Sequence, residues 1–184
     1  FVAGTGERQT NFFKSWLHEL KVLEYLSARP ECGVVDFYGF STMHQPEDAK
    51  IVVQLCMELM RGGSLRDNLL VLKRKGMRLP LRVAYRIMLQ IVSALRGLHA
   101  AVHDVYGTRR RVSIVHRDMK PENVLLSCKL SGAEDQTVTA KLCDVGLAAL
   151  RRDRSHLSMR HETTKVGKAG TYPYIAPETL QQGL

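Results

Sequence analysis

The stretch from His116 to Asn123 holds the residues of this chain that are best suited to chemistry. It reads His-Arg-Asp-Met-Lys-Pro-Glu-Asn, and an Asp-Val-Gly triplet begins at Asp144. Asn123 precedes one strand-like run and Asp144 follows another, so pairing of the two runs as an antiparallel hairpin would place these side chains next to each other. A carboxylate beside an amide oxygen suits Mg²⁺ with bound phosphates. The spacing therefore predicts a magnesium–phosphate site at the open end of a hairpin.

Together with Ala176-Pro177-Glu178, these motifs resemble the catalytic loop, metal-binding turn and activation-segment end of the protein kinase family, in the order found there. The resemblance implies that Asp118 accepts the proton of an attacking hydroxyl. It implies that Lys120 neutralises charge on the transferred phosphoryl group. It also implies that ATP is the phosphate donor and that Asn123 and Asp144 hold its Mg²⁺.

Residues nearer the start of the chain fit the nucleotide site of the same family. Glu19 resembles the helix-C glutamate that pairs with an ATP-binding lysine. Met57 takes the gatekeeper place, and the backbone of Glu58 and Met60 would hydrogen-bond adenine. Ser64 would lie near the ribose. Neither the lysine nor a glycine-rich loop precedes Glu19, so we expect a kinase domain truncated at both ends.

The class of acceptor is also implied by the resemblance. Lys120, two residues after the catalytic aspartate, is typical of serine/threonine-type loops, and Thr171 takes the place of a residue in the substrate-facing loop. The hinge and the Gly-Gly-Ser-Leu run that follows it resemble the tyrosine-kinase-like group, which is largely serine/threonine-specific. The expected activity is transfer of the γ-phosphate of Mg-ATP to serine or threonine hydroxyls of proteins.

The segment from Asp144 to Glu178 is basic and rich in hydroxyls, as expected of a phosphorylation switch. A phosphate adds about −1.5 to −2 charges and three strong acceptor oxygens. Arg117 has a planar fork that could bind it in a bidentate manner and so order the segment. Thr163 and Thr164 lie closest before the substrate-facing turn, and we expect phosphorylation there.

Apolar spacing predicts three helices: Asn11–Ser27, a short helix opened by Ser64 and closed by Gly76, and a long helix from Pro80 to about His99. The long helix should bury one apolar stripe, made of Leu81, Ala84, Ile87, Met88, Ile91, Leu95 and Leu98.

Short runs of β-favouring residues predict strands, and polar stretches predict loops. Ser41–Lys50 and residues 151–170 should be loops. The long connection Ser127–Gln136 should be a surface insertion that tolerates its extra length. The predicted strands are Val34–Phe40, Ile51–Met57, Ser113–Val115, Val124–Leu126 and Val138–Cys143.

The 184 residues are 45% apolar and 24% charged, which fits one globular domain and excludes a disordered tail. We expect an α+β, two-lobe, protein kinase-like fold. Residues 1–57 would be the small-lobe part, 58–63 the hinge and 64–184 the large-lobe part, with 144–178 as the activation segment. No apolar run approaches the roughly 20 residues that span a bilayer. An intracellular, chiefly cytoplasmic, location is expected, and attachment to a membrane through other regions stays open.

The net charge of +9 is unevenly distributed and leaves two other functions open. Residues 1–60 carry 5 basic and 8 acidic side chains, whereas residues 61–184 carry 22 and 10. Such a basic half could bind nucleic acid, but Arg109–Arg111 lacks interleaved aromatic residues, so no nucleic-acid partner is expected. A catalytically weak pseudokinase or scaffold is the other alternative. The presence of Asp118, Lys120, Asn123 and Asp144 argues against it.

Overall fold

The structure, a computed structural model, describes residues 7–45, 50–100, 102–103, 111–152 and 170–177. In these ranges the α-helices are α1 (Glu7–Ser27), α2 (Leu65–Arg74) and α3 (Leu81–His99). The strands form three small antiparallel sheets. One pairs β1 (Phe37–Gln45) with β2 (Lys50–Met57). The second has the order β3 (Gly63–Ser64), β6 (Val124–Leu126), β7 (Ala140–Leu142), and the third has the order β4 (Val102–His103), β5 (Arg111–Val115), β8 (Ala149–Arg152).

Helix α1 is longer than predicted at its start and ends where predicted. It begins at Glu7 rather than Asn11, because Glu7-Arg8-Gln9 are good helix formers that can extend the amphipathic segment. The face that it turns towards the rest of the protein buries Leu20, Val22, Leu23 and Leu26. After the helix, Pro30–Cys32 forms a single 3₁₀ turn that redirects the chain.

The first hairpin is shifted towards the C-terminus relative to the prediction. Strand β1 begins at Phe37 rather than Val34 and continues through Gln45. Ser41–Gln45 and Lys50 of the predicted loop are therefore strand residues, and its residues 46–49 lie outside the described part of the chain. The reason is a competing contact. The Val35 amide donates to the Leu142 carbonyl and the Leu142 amide donates to the Gly33 carbonyl, both at 2.9 Å. The segment before β1 is thereby attached to β7, in the other part of the molecule.

The hairpin predicted to carry the metal site is present. Val124 pairs with Leu142 and Leu126 with Ala140, although β7 is shorter than the predicted Val138–Cys143. Strand β3, which the sequence did not indicate, adds the end of the hinge to this sheet. Strand β8 was also missed, and Arg151 and Arg152 lie in it rather than in a loop, because β5 offers a free edge for it.

Helix α2 has the predicted start: the Ser64 hydroxyl accepts the Asp67 amide at 3.1 Å. Helix α3 lies where predicted, but its buried stripe differs. Ile87 and Leu98 are buried as expected, whereas Leu81 is 82% exposed and Met88 56% exposed. Val83 and Ala94 are buried instead. Small residues decide the orientation of the helix, since a Cβ on Gly33 would lie 2.8 Å from the Ala94 Cβ, and one on Gly97 would lie 2.9 Å from the Cys32 Cα.

A continuous apolar cluster joins α1, the 3₁₀ turn, α3 and the β6–β7 sheet. Within the described ranges, no helix has the length and apolar character needed to cross a membrane.

The outer face of α3 generates a prediction about association. Five apolar residues on it are more than half exposed, so the isolated chain should self-associate as its concentration rises. Replacing Met88 and Val92 together by lysine should suppress the association without lowering the melting temperature, because neither side chain is buried. Sedimentation velocity over a concentration series measures this. The five residues are Leu81, Tyr85, Met88, Leu89 and Val92.

The control for this prediction is Ile87→Ala, on the buried side of the same helix. It should cost about 2–5 kcal/mol of unfolding free energy and leave the association unreduced. Unchanged association of the double-lysine variant would show that another surface is responsible.

Candidate active site

The loop between β5 and β6 is held in place by the buried side chain of His116. This side chain is 2% exposed, and burial holds its pKa below the ordinary histidine value. The neutral ring accepts the Asp118 amide at Nδ1 (3.3 Å) and donates from Nε2 to the Cys143 carbonyl (3.0 Å), which assigns the Nε2–H tautomer. His116 therefore ties the backbone of Asp118 to the residue just before Asp144. Arg117, between them, has a φ of 69°, a conformation uncommon for a side chain with a Cβ.

Asp118 is the centre of the site, and both of its carboxylate oxygens are occupied. Lys120 Nζ and Asn123 Nδ2 donate to Oδ2 at 2.6 and 3.0 Å. The amide and the hydroxyl of Thr171 donate to Oδ1 at 2.9 and 2.8 Å. Lys120 Nζ also donates to the Thr171 hydroxyl at 2.7 Å, which closes the network. The structure thus brings together four of the residues singled out in the sequence.

These contacts set the charge of Asp118. Burial on its own raises the pKa of this carboxyl, but the hydrogen bonds from Lys120, Thr171 and Asn123 outweigh burial and bring the pKa below its ordinary value. The hydrogen bond to Asp118 raises the pKa of Lys120. At neutral pH the two side chains are therefore an ionised pair, with a carboxylate oxygen that accepts a hydroxyl hydrogen.

Asn123 and Asp144 lie at the open end of the β6–β7 hairpin, as predicted. The Cys143 amide donates to the Asn123 carbonyl at 2.9 Å, so the residues on either side of the hairpin end are adjacent. The Asn123 amide nitrogen donates to Asp118, so Oδ1 is the atom of this side chain that could hold a metal. Asp144 is exposed, with a φ of 61°. This oxygen-only donor set fits Mg²⁺ with bound phosphates better than a softer metal. The described residues contain no cluster of three or more histidine, cysteine or acidic side chains that could hold a metal by itself.

Helix α1 contacts the turn that follows Asp144. A Cβ on Gly146 would lie 3.2 Å from a carboxylate oxygen of Glu19, so the glutamate lies directly against this glycine and a larger residue would crowd it. His18 hydrogen-bonds the Ala148 carbonyl at 3.1 Å. Burial, and secondly the charge of Asp144, raise the pKa of Glu19 above its ordinary value. A carboxylate in this environment would gain from a cationic partner, and its predicted pairing with an ATP-binding lysine stays a prediction.

The predicted nucleotide-binding residues lie along the chain from β2 to α2. Met57 ends β2 and is partly exposed, whereas Met60 is buried. The Glu58 amide donates to the Asp36 carbonyl at 2.8 Å, so its carbonyl is the backbone group of this residue that is left for adenine. Ser64 caps α2 with its hydroxyl, which also donates to Asp67 Oδ2 at 2.6 Å. Its expected place near the ribose stays a prediction.

An ion triad behind the hinge was missed by sequence reasoning. Lys141 Nζ lies 2.6 Å from Glu58 Oε2 and 3.3 Å from Asp36 Oδ2. The Asp36 amide also donates to Glu58 Oε2 at 3.3 Å. Alternation in β7 marks Lys141 as the outward residue between buried Ala140 and Leu142, but an outward lysine normally faces water. Its two partners are 83 and 105 residues away in sequence, so nothing local indicated them.

The remaining predicted residues are placed only in part. Thr163, Thr164 and Glu178 lie outside the described residues, so their roles stay predictions.

Another unexpected contact is the ion pair between Arg66 on α2 and Glu122 in the loop between β5 and β6. It connects α2 to the 3₁₀ turn Pro121–Asn123, which ends at the asparagine of the candidate metal site.

Comparison with known proteins agrees with this geometry. The family model described as "Protein kinase domain" matches residues 4–183, so the chain belongs to the protein kinase domain family. Calmodulin-binding receptor-like cytoplasmic kinase 1 from Arabidopsis thaliana is 33% identical over 182 residues, covering 98% of this chain and 33% of the relative. The dual specificity mitogen-activated protein kinase kinase dSOR1 from Drosophila melanogaster is 34% identical over 171 residues, covering 91% and 32%. The chain thus spans about a third of the length of these relatives.

The ion triad behind the hinge generates a pH prediction. Burial raises the pKa of Glu58, but the hydrogen bonds from Lys141 and the Asp36 amide outweigh it, so the folded pKa lies below 4.5. The ionised form therefore favours the folded state at neutral pH, and this contribution is lost as the pH falls through and below 4.5. Glu58→Gln should lower the unfolding free energy at pH 7 by about 1 kcal/mol.

The free energies of wild type and Glu58→Gln should converge as the pH falls from 4.5 through the lower pKa that Glu58 has in the folded state. Urea denaturation at a series of pH values measures both. Glu24→Gln, the same change at an exposed position on α1 outside the triad, is the control and should change the unfolding free energy at pH 7 by less than about 0.5 kcal/mol. A constant difference between Glu58→Gln and wild type over the whole pH range would contradict the charge argument.

Proposed function

We propose that the protein carrying this chain transfers the γ-phosphoryl group of ATP to serine or threonine hydroxyls of proteins. One observation supports this most directly. The Asp118 carboxylate already holds a hydroxyl, that of Thr171, at 2.8 Å, and the same hydroxyl accepts a hydrogen bond from Lys120. An acceptor hydroxyl brought to this position would meet the same base and the same cation.

The chemical step follows from these contacts. The acceptor oxygen forms a bond to the γ-phosphorus while the bond from that phosphorus to the bridging oxygen of ADP breaks. The acceptor proton goes to Asp118, and ADP leaves with the bond's electron pair. Lys120, held 2.6 Å from Asp118, neutralises negative charge on the phosphoryl oxygens during transfer. The lowered pKa of Asp118 suits a base that orients the hydroxyl, because little proton transfer is needed early in a loose phosphoryl-transfer transition state.

Asn123 and Asp144 would hold Mg²⁺, which, when bound, would neutralise charge on the phosphates of the nucleotide. Their placement depends on β6–β7 pairing and on His116, not on the metal. Glu58 and Met60 would bind adenine through backbone groups, and Glu19 would hold the lysine that contacts the phosphates. In this proposal residues 1–57, 58–63 and 64–184 belong to the small lobe, hinge and large lobe, with the activation segment at 144–178.

Serine or threonine as the acceptor is supported by the contact between Lys120 and Thr171. Both side chains hydrogen-bond Asp118, and a lysine at the place of Lys120 is typical of serine/threonine-type loops in the family that this chain resembles. An intracellular location is supported by the cysteines at 32, 56, 128 and 143, which are all free thiols, as is usual in a reducing compartment.

The catalytic role of Asp118 is tested by Asp118→Asn in the full-length protein. Losing the proton acceptor should lower kcat by about 10²–10⁴-fold, while the affinity for Mg-ATP stays within about threefold. Asp144→Asn is the matched variant, because it removes a metal ligand and should weaken Mg-ATP binding as well. Single-turnover kinetics and nucleotide titration separate the two effects. Wild-type turnover in Asp118→Asn would overturn the proposal, and wild-type catalysis confined to tyrosine peptides would overturn its serine/threonine part.

The phosphorylation switch gives a separate prediction. We expect phosphorylation at Thr163 or Thr164 to raise activity through Arg117, because the guanidinium can bind a phosphate with two hydrogen bonds. Phosphatase treatment should lower the activity of wild type, and Arg117→Ala should abolish that response. Phosphopeptide mass spectrometry identifies the site. Equal loss of activity in wild type and Arg117→Ala would mean that another residue binds the phosphate.

A further inference from the structure

Asn68 is a buried polar residue in the second turn of α2, where a core-facing position normally carries an apolar side chain. It is 6% exposed. Its Nδ2 donates to the Gly62 carbonyl and to the Ser64 carbonyl, both at 2.8 Å, and its Oδ1 accepts the Leu130 amide, also at 2.8 Å. A buried amide is costly unless it is hydrogen-bonded, and here both ends of the amide are used.

The Leu130 amide comes from the loop between β6 and β7, residues 127–139, here called the β6–β7 loop. The sequence predicted a surface insertion at Ser127–Gln136, and most of this stretch is exposed. Leu130 is the exception, because its side chain is buried in the core, as is that of Val138 beyond the predicted insertion. Gln136 holds the loop in shape. It accepts the Ser131 amide at 2.8 Å and donates to the Lys129 carbonyl at 2.6 Å.

The same loop also contacts the end of the hinge directly. The Gly62 amide donates to the Leu126 carbonyl at 2.8 Å, and a Cβ on Gly62 would overlap the Cys128 carbonyl oxygen. Gly62 therefore contacts both the start of the β6–β7 loop, at Cys128, and the side chain of Asn68. Ser64, bound by the same Asn68, begins α2 and follows directly.

We propose that Asn68 and the β6–β7 loop together form a positioning element for residues 60–64 and thereby control the affinity of the site for its nucleotide. This inference rests on the proposed function, since residues 60–64 are the segment expected beside adenine and ribose. Asn68 does not touch the nucleotide or the reacting atoms. It acts through the Gly62 and Ser64 carbonyls, and the loop acts through Asn68.

Asn68→Asp in the full-length protein is the direct test. The variant keeps the acceptor for the Leu130 amide but turns a carboxylate oxygen towards two carbonyls, so it should displace residues 60–64. The KM for ATP should rise about tenfold with kcat changed by less than about twofold, the split expected when ground-state and transition-state binding weaken together. Gln136→Ala, which loosens the β6–β7 loop without touching the hinge, should raise the KM in the same direction by about threefold.

Leu98→Ala is the control. Leu98 is buried near the end of α3, outside α2 and the β6–β7 loop, and its loss should lower stability without any change in the KM for ATP. A tenfold rise in this control as well, or no rise in Asn68→Asp and Gln136→Ala, would overturn the positioning role. If Asn68→Asp does not fold, the comparison of Gln136→Ala with Leu98→Ala decides the question.

Hydrogen exchange in the nucleotide-free proteins separates this inference from the proposed function. The Gly62 and Gly63 amides should exchange at least about tenfold faster in Asn68→Asp than in wild type, but not in Leu98→Ala. If wild type binds no ATP, the proposed function fails, whereas this exchange difference still supports the positioning element. Equal exchange in Asn68→Asp and Leu98→Ala overturns it.

Discussion

A carboxylate that is 5% exposed must have its oxygens hydrogen-bonded or it would take up a proton, and this requirement at Asp118 governs the arrangement around it. Four donor groups from three residues meet the requirement. Lys120 and Asn123 belong to the same loop, but Thr171 comes from 53 residues further along the chain. The contact with Asp118 therefore fixes where the Tyr172–Tyr174 turn lies, and it brings residues 170–177 to the loop His116–Asn123.

The β6–β7 hairpin supports this arrangement from several sides. Asn123 and Asp144 lie at its open end, and the Cys143 carbonyl next to that end accepts a hydrogen bond from His116. Its outward Lys141 binds Glu58 and Asp36, while its loop reaches Asn68. Contacts to the hinge, to the segment before β1 and to the catalytic loop all start from one short antiparallel pair. A shift of its register by one residue would exchange the buried and outward faces and break these contacts together.

The two parts of the chain are joined by polar contacts as well as by the apolar cluster. Glu19 lies against Gly146, and His18 bonds to the carbonyl of Ala148, so α1 is coupled to the turn after Asp144. The Asp36–Lys141–Glu58 triad makes the corresponding link behind the hinge. The energy of partly exposed ionic contacts is small, about 0–1 kcal/mol each, so they restrict the relative position of the parts more than they stabilise the fold.

The sequence determined the grouping of the candidate site residues because their spacing is local. Asp118, Lys120 and Asn123 lie within one loop, and a hairpin between Val124–Leu126 and a second short strand was enough to place Asp144 beside them. The three helices were also predictable, since their apolar periodicity and the capping serine at Ser64 act within a few residues.

Only the tertiary structure decided which face of α3 is buried. That choice depends on the close approach of Gly33 to Ala94 and of Cys32 to Gly97, and small residues contribute little to a hydrophobic pattern. Likewise, the sequence of Val34 and Val35 is typical of a hairpin strand, but in the structure this segment hydrogen-bonds to β7 and not to β2. Lys141 and Asn68 looked like ordinary surface and helix residues. Their roles come from partners 62 to 105 residues away, and no local pattern records a hydrogen bond made over that distance.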